Sequence, residues 1–258
     1  MIYEVIELEI NDGVATLSLN RPDLLNSMND RMRDEIRDAV LRAQEQARVL
    51  VITGKGRGFC SGQDLGGDVD VATFDLEKAL KEQYEPMLRA IYDCPIPTIS
   101  AVNGPAAGAG ANLALAADVV IAAESAYFMQ AFAMIGLIPD AGGTYFMPRN
   151  MGFARAMGAA LFADRIPARQ AADWGLIWEC VPDLDFADHI ARRAGMLANG
   201  PTAAYQRIKQ AIRASFENDL DTQLALEARL QGEAGRTRDF AEGVTAFNQK
   251  RKPKYQGH

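Results

Sequence analysis

A chain of 258 residues, 48% hydrophobic and 24% charged, is long enough to bury a sizeable core as one domain, or as one domain with a small appendage. Its formal net charge of −7 argues against nucleic acid as the main partner, because phosphate binding needs a basic footprint. Three cysteines without a CxxC pair fit a reduced, cytoplasmic chain, and two histidines, His189 and the terminal His258, leave little for Ser-His-Asp, Cys-His or metal chemistry.

Residues 1–10 show neither a basic n-region nor an apolar h-region, and no uninterrupted apolar stretch is long enough to span a bilayer. Residues 5–10 and 14–19 alternate in period two around Asn11-Asp12-Gly13, which predicts a β-hairpin. Asn29 opens a helix in which Met32, Ile36, Ala39, Val40 and Ala43 form one apolar face. A short buried strand at 49–53 runs into a glycine-rich stretch ending Gly58-Phe59-Cys60-Ser61-Gly62-Gln63-Asp64-Leu65. Residues 68–75 read as a loop leading to a helix that ends before Pro95.

Residues 97–102 form the next expected strand, after which Asn103-Gly104-Pro105 turns the chain into a small-residue helix near Gly108. Another strand follows at 119–122. Strand, glycine-rich turn, helix and strand together make an α/β pattern with crossover connections. His189 falls in an expected helix at 186–197 and is not read as catalytic. Beyond about residue 199 the character changes: 202–216, 220–231 and 239–250 all read as amphipathic helices with no strand between them. The expected division is therefore an α/β core over 1–198 and a helical, oligomerising region over 199–258. The basic run from Lys250 to Lys254 reads as a solvated tail.

Neither glycine-rich turn completes a Walker or GxGxxG fingerprint. Small residues at Ser61-Gly62-Gln63 and at Ala107-Gly108-Ala109-Gly110 permit close approach of a ligand to the backbone, and free N–H groups at a helix start attract negative charge. Two such turns can aim two amides at one carbonyl oxygen, an oxyanion hole. The same glycines also suit tight turns and close helix–sheet packing, and the residues by themselves leave both readings open.

The segments taken together carry a resemblance. Leu19-Asn20-Arg21-Pro22 with Leu25-Asn26-Ser27-Met28, then the Gly58–Leu65 stretch, resemble the first half of the crotonase (enoyl-CoA hydratase/isomerase) family. Ala101-Val102-Asn103-Gly104-Pro105 through Gly110 is similar to the family's oxyanion-hole helix, and Gly136-Leu137-Ile138-Pro139-Asp140-Ala141-Gly142-Gly143 to its active-site turn. Ala171-Ala172-Asp173-Trp174-Gly175-Leu176 and Glu242-Gly243-Val244-Thr245-Ala246-Phe247, with Lys250-Arg251-Lys252-Pro253, resemble the later motifs in the family's order.

The resemblance implies an α/β core of repeated ββα units, a C-terminal helical region that makes a homotrimer or a dimer of trimers, and a coenzyme A thioester as substrate, with no further cofactor. It implies that the backbone amides of Gln63 and Ala109 form the oxyanion hole. Leu25 and the stretch Ser61, Gln63, Asp64, Leu65 would lie along the adenine and pantetheine. Phe247 and Lys250, from a neighbouring subunit, would close on the nucleotide end. The two glutamates with which hydratases add water correspond here to Asn112 and Phe132, neither of which takes a proton from water at neutral pH.

One carboxylate remains, Asp140. After Pro139 and before Ala141-Gly142-Gly143 it could cap the next helix; the resemblance implies instead that it faces the acyl α-carbon, walled by Phe128, Met129, Phe132, Met134, Ile135 and Leu137. One carboxylate beside one oxyanion hole suits a 1,3-proton shift. Burial there would raise its pKa. Several stretches look like the branch that converts ring 1,2-epoxyphenylacetyl-CoA to the seven-membered oxepin thioester and shifts 3,4- to 2,3-dehydroadipyl-CoA. The alternatives are a Δ3,Δ2-enoyl-CoA isomerase of fatty-acid oxidation and a non-catalytic CoA- or RNA-binding homologue. The aryl-CoA dehalogenase branch, in which the aspartate attacks as a nucleophile, uses a histidine in the first half of the chain, and none precedes His189 here.

Overall fold

The computed structural model of the chain describes residues 3–66 and 75–258. The loop expected at 68–75 lies outside these apart from Asp75.

The predicted hairpin forms from β1 (Ile6–Asn11) and β2 (Val14–Leu19), antiparallel with Ile6 opposite Leu19. Three strands then add in parallel: β3 (Val49–Gly54) on β2, β4 (Thr98–Val102) on β3, and β6 (Val119–Ala123) on β4. The edge strand β9 (Glu179–Val181) pairs parallel to β6, giving the order β1-β2-β3-β4-β6-β9. A second small sheet joins β5 (Ala106–Ala107), β7 (Tyr127–Met129) and β8 (Ile166–Pro167) in the order β5-β7-β8. These short pieces carry no periodicity of their own, and the sequence reading missed them.

Both faces of the large sheet are covered, which is why its central strands read as continuous apolar runs. Leu50 and Ile52 point into the larger core beneath α1 (Asp30–Gln46). Val49 and Val51 point the other way, into a second cluster with Ile99, Ala101 and Ile121. Ala194 and Ala198 of α8 (Asp183–Ala198) close that cluster. The side chain of Asn29 caps α1 by accepting the Met32 N–H, and Met32, Ile36, Ala39, Val40 and Ala43 are all fully buried, as the spacing required. Arg33 and Glu35 on the same helix are buried too, which apolar patterning does not anticipate. Glu35 accepts the backbone N–H groups of Glu4 and Val5.

Between β3 and β4 run α2 (Leu76–Ala79), a π-helical turn (Leu80–Tyr84) and α3 (Glu85–Tyr92). The wholly buried α4 (Ala109–Leu115) follows β5. After β7 come a 3-10 turn (Ala131–Ile135), α5 (Gly143–Met151), α6 (Phe153–Phe162) and, past β8, α7 (Ala168–Asp173). The tail holds three helices, α9 (Thr202–Ala214), α10 (Leu220–Ala234) and α11 (Arg238–Asn248), close to the expected bounds. Lys209 and Arg213 fasten α9 to the core: both pair with Asp118, at 2.6 and 2.7 Å, and Lys209 donates to the carbonyl of Ile96. Ile208, Ile212, Leu220, Leu224, Phe240, Val244 and Phe247 on these helices, and Phe216 in the turn between α9 and α10, are exposed. Among the described residues no helix is long and apolar enough to cross a membrane.

Candidate active site

Two loops meet at the C-terminal ends of β3 and β4. The Ala107 N–H donates to the Cys60 carbonyl at 2.9 Å, and Phe59 and Cys60 donate to Pro105 at 3.1 and 3.2 Å, so the 59–63 segment lies along the entry to α4. On its other side Met28 donates to the Gly62 carbonyl at 2.8 Å, and the Asp64 N–H returns to Met28 at 3.0 Å. That exchange leaves the Gln63 N–H out of the ladder. Among the described residues neither it nor the Ala109 N–H, at the first position of α4, has an acceptor. Gly62 brings the two together: its φ is +98°, and a Cβ there would stand 2.9 Å from the Ala107 carbonyl oxygen and 3.4 Å from the Ala109 nitrogen.

The residues expected along a CoA chain cluster beside this pair. Ser61 donates its N–H to the Leu25 carbonyl at 3.0 Å. Asp64 is paired with Arg21 at 2.8 Å, and that bond, reinforced by the Gly66 N–H, holds its carboxyl below the usual range. Leu65 is exposed. Phe132 is buried, and the edge of its ring lies 3.9 Å from where a Gly108 Cβ would sit. Phe247, on α11, and Lys250, just beyond it, do not reach this chain's own cavity.

Asp140 lies in the turn before α5. Ala141 and Gly142 both take left-handed backbone angles, φ +47° and +84°, which reverse the chain directly after it. The turn is pinned from behind: the Asp140 carbonyl accepts the Gly143 N–H and Asn112 Nδ2, both at 2.8 Å. Asn112, fully buried, also exchanges hydrogen bonds with the Gln130 side chain at 2.8 and 3.3 Å. Gly143 makes room, since a Cβ there would collide with the Asn112 side chain at 2.4 Å. The helix-cap reading fails. Gly142 is the N-cap of α5, and the Asp140 carboxylate does not cap it.

Instead Asp140 faces a cavity of about 510 Å³ lined by Leu80, Tyr84, Leu88, Tyr92, Ala141 and Phe146, with Tyr145 beside Phe146 and Lys81, Glu85 and Arg89 at its exposed rim. Its Oδ1 is buried and, among the described residues, unpartnered. Burial pushes its pKa up to about 6, its own backbone N–H offsetting only part of the rise. The walls are therefore not the expected ones. Phe128 is in the core, and Met134 and Ile135 are exposed on the 3-10 turn, whereas the π-helical turn and α3 supply the apolar side. Leu80, Tyr84, Leu88 and Tyr92 recur every four residues, a stripe that could have been read from the sequence.

His189 is bound to Glu179 at 2.7 Å on the outer surface and takes no part in the cavity. Among the described residues no group of three or more His, Cys, Asp or Glu side chains is arranged to hold a metal. Cys60 is fully buried, with its thiol pushed up to about 12 by burial, so it is not a nucleophile.

Known proteins fit this arrangement. The enoyl-CoA hydratase/isomerase family profile matches residues 9–258. A Rhodobacter capsulatus protein named "Probable enoyl-CoA hydratase" is 58% identical over 257 residues, covering 100% of both chains. The 1,2-epoxyphenylacetyl-CoA isomerase of Escherichia coli is 47% identical over 261 residues, covering 99% of this chain and 100% of its own. Among solved structures, the enoyl-CoA hydratase of Bacillus anthracis superposes with a TM-score of 0.91 at 31% identity, with 99% of this chain and 100% of that one covered.

Proposed function

Because the chain belongs to the enoyl-CoA hydratase/isomerase (crotonase) family and is an enzyme of that family, we propose that it isomerises an acyl-CoA thioester and does not hydrate it, with ring 1,2-epoxyphenylacetyl-CoA as substrate. The observation that carries this reading is the state of three positions. The Asp140 carboxylate faces the cavity with a buried oxygen that has no partner among the described residues, whereas the places of the two hydratase glutamates hold Asn112, locked in a buried amide pair, and Phe132, an aromatic ring. Adding water across a double bond needs an acid and a base. Moving one proton needs a single group that can do both in turn.

In this scheme the thioester oxygen sits between the Gln63 and Ala109 amides. Asp140 takes a proton from the α-carbon, and the amides hold the enolate oxygen as charge develops, each donor being worth on the order of 3 kcal/mol in comparable sites. For the ring epoxide, the ring bond bridged by oxygen opens to the seven-membered oxepin, and the proton from the α-carbon returns at a ring carbon two positions along. For 3,4-dehydroadipyl-CoA the same transfer, from C2 to C4, gives the 2,3-isomer. Atoms and charge balance in both without a cofactor. An aspartate pKa of about 6 suits a base that must also give the proton back.

Leu25, Ser61, Gln63, Asp64 and Leu65 would carry the pantetheine and adenine, and Phe132 would back the thioester. The exposed apolar side chains of α9 to α11 support assembly through the 199–258 region into a homotrimer or dimer of trimers, in which Phe247 and Lys250 would reach a neighbour's nucleotide end. The name of the Rhodobacter capsulatus relative favours a second reading, hydration. That reading needs another acid, and among the described residues the other carboxylate lining the cavity, Glu85, is exposed at the rim.

The test is a substrate panel: the ring epoxide, 3,4-dehydroadipyl-CoA, an aliphatic 3-enoyl-CoA and a 2-enoyl-CoA. Conversion of the first two and no hydration of the last is the expected result. Turnover of aliphatic 3-enoyl thioesters alone would make it a fatty-acid Δ3,Δ2-isomerase. Hydration of the 2-enoyl thioester at a comparable rate would overturn the isomerase reading, and thioester binding without any turnover would revive a non-catalytic role.

A further inference from the structure

Behind the Gln63 loop lies a polar cluster that the proton shift does not use. Arg33 of α1 is 1% exposed. Its Nη1 donates to Gln63 Oε1 at 2.8 Å, and to the Tyr84 hydroxyl and the Met28 carbonyl, both at 3.3 Å. Its Nη2 reaches Asp30 and Gln83, and its guanidinium stands 4.5 Å from the centre of the Tyr84 ring. Tyr84 in turn donates its hydroxyl to the same Gln63 oxygen. The Gln63 side-chain carbonyl is therefore held by two donors from two helices, while its amide nitrogen donates to the Asp64 carbonyl at 3.1 Å.

This cluster is an expensive way to build a core. Among the described residues the one carboxylate on Arg33, that of Asp30, is 72% exposed, and Arg33 Nε is buried without a partner. A buried cation so weakly compensated destabilises a fold relative to an apolar packing of similar volume. Its neighbour is placed by an uncommon device: Tyr84 ends the π-helical turn Leu80–Tyr84, and such turns concentrate at functional sites. Tyr84 also lines the cavity that Asp140 faces. Burial pushes the phenol well above its usual range, so it remains an O–H donor.

We propose that Arg33 and Tyr84 are positioning residues for the reaction: they grip the Gln63 side chain so that its backbone N–H stays aimed into the acyl site, and the buried guanidinium strengthens that donor as charge builds on the thioester oxygen. The inference rests on the Gln63 amide being an oxyanion donor. The Met28 N–H to Gly62 carbonyl bond holds the peptide plane that carries the Gln63 N–H, and the Asp64 N–H to Met28 bond holds the next plane. The side-chain grip adds a further anchor between them, at the Gln63 side chain itself. A fixed positive charge in a dry site costs no reorganisation when the oxyanion forms.

The test separates positioning from packing. Cinnamoyl-CoA, a conjugated thioester whose α-hydrogen is vinylic and which has no γ-hydrogen to move, is bound to the protein and its carbonyl stretch recorded by difference infrared spectroscopy, beside steady-state kinetics on the isomerase substrate. Wild-type protein is expected to lower the carbonyl frequency. Tyr84→Phe and Arg33→Met are expected to shrink that shift and to lower kcat by about 10- to 100-fold with KM within about threefold, Arg33→Lys recovering part of the loss. Gln63→Ala keeps the backbone donor and loses the grip, so Tyr84→Phe added to it should cost little more. An undiminished carbonyl shift in Tyr84→Phe, a loss confined to KM, or an equal penalty in both backgrounds would overturn the proposal, and Tyr84→Phe decides it if Arg33→Met fails to fold. Asp140→Asn keeps the two failures apart. Turnover by that variant would remove the base and leave the carbonyl result standing, whereas no shift even in wild-type protein would remove the oxyanion donor and this inference with it.

Discussion

Two buried polar groups sit on opposite sides of one short turn, and they are treated in opposite ways. Behind it, Asn112 has its amide nitrogen bonded to the Asp140 carbonyl and to Gln130, and its oxygen bonded to Gln130 Nε2. In front, the Asp140 carboxylate keeps a buried oxygen with no partner among the described residues, and its pKa rises to about 6. A satisfied buried network stiffens a fold, whereas an unsatisfied group costs free energy that survives only where something other than stability is selected. On the proposed function, the satisfied side is scaffold and the unsatisfied side is chemistry.

The comparison breaks most visibly from the scaffold side. Asn112→Leu keeps the number and branching of side-chain atoms, strands the Gln130 amide and leaves the Asp140 carbonyl with the Gly143 N–H alone. It should cost about 2–4 kcal/mol in urea unfolding and lower turnover by about 100-fold or more as the turn loses its anchor. Gly62→Ala attacks the other half of the site: at φ +98° and 2.9 Å from the Ala107 oxygen, the new methyl must push the Gln63 and Ala109 amides apart. A loss of about 10- to 100-fold in kcat, with a stability cost of about 1–3 kcal/mol, is expected.

From the chemistry side the sign reverses. The folded protein holds the Asp140 proton up to about pH 6, while in the unfolded chain the group loses it near its ordinary value of 3.8. Between those values the folded state binds more protons, so stability falls as pH rises through the window, and the full cost is present above it. Asp140→Asn should therefore stabilise the protein by about 1–2 kcal/mol at pH 8, after allowance for solvent screening, and by almost nothing at pH 3.5. Denaturant titrations at the two pH values measure this; a destabilised variant at pH 8 would contradict the assignment of Asp140 as strained. The smallest effect is a shape. With Asp140 as base, kcat/KM should climb tenfold per pH unit up to about pH 6 and level off above it, and a flat acid limb would reject the role.

The sequence announced the frame of the site better than its walls. The hairpin, the Asn29 cap, the central strands and the helical tail follow from period-two and period-3.6 patterning, because they bury one face or both. The two-residue strands β5 and β8 are held by tertiary contacts, and no local pattern marks them. Asp140 could be singled out as the one remaining carboxylate, but its freedom from the helix cap could not: that depends on Ala141 and Gly142 turning left-handed together. Tyr84 and Arg33 escaped notice for a plainer reason. Arg33 sits on an otherwise ordinary amphipathic helix and Tyr84 in an apolar stripe of helical spacing, and only the packing of α1 against the π-turn brings them onto Gln63.

The most direct test of the account is turnover of ring 1,2-epoxyphenylacetyl-CoA by wild-type protein and Asp140→Asn side by side, with thioester affinity measured on both. The account predicts conversion to the oxepin thioester by the wild type, and at least about 1,000-fold slower conversion by a variant that folds and binds as well. Undiminished conversion by Asp140→Asn would contradict it.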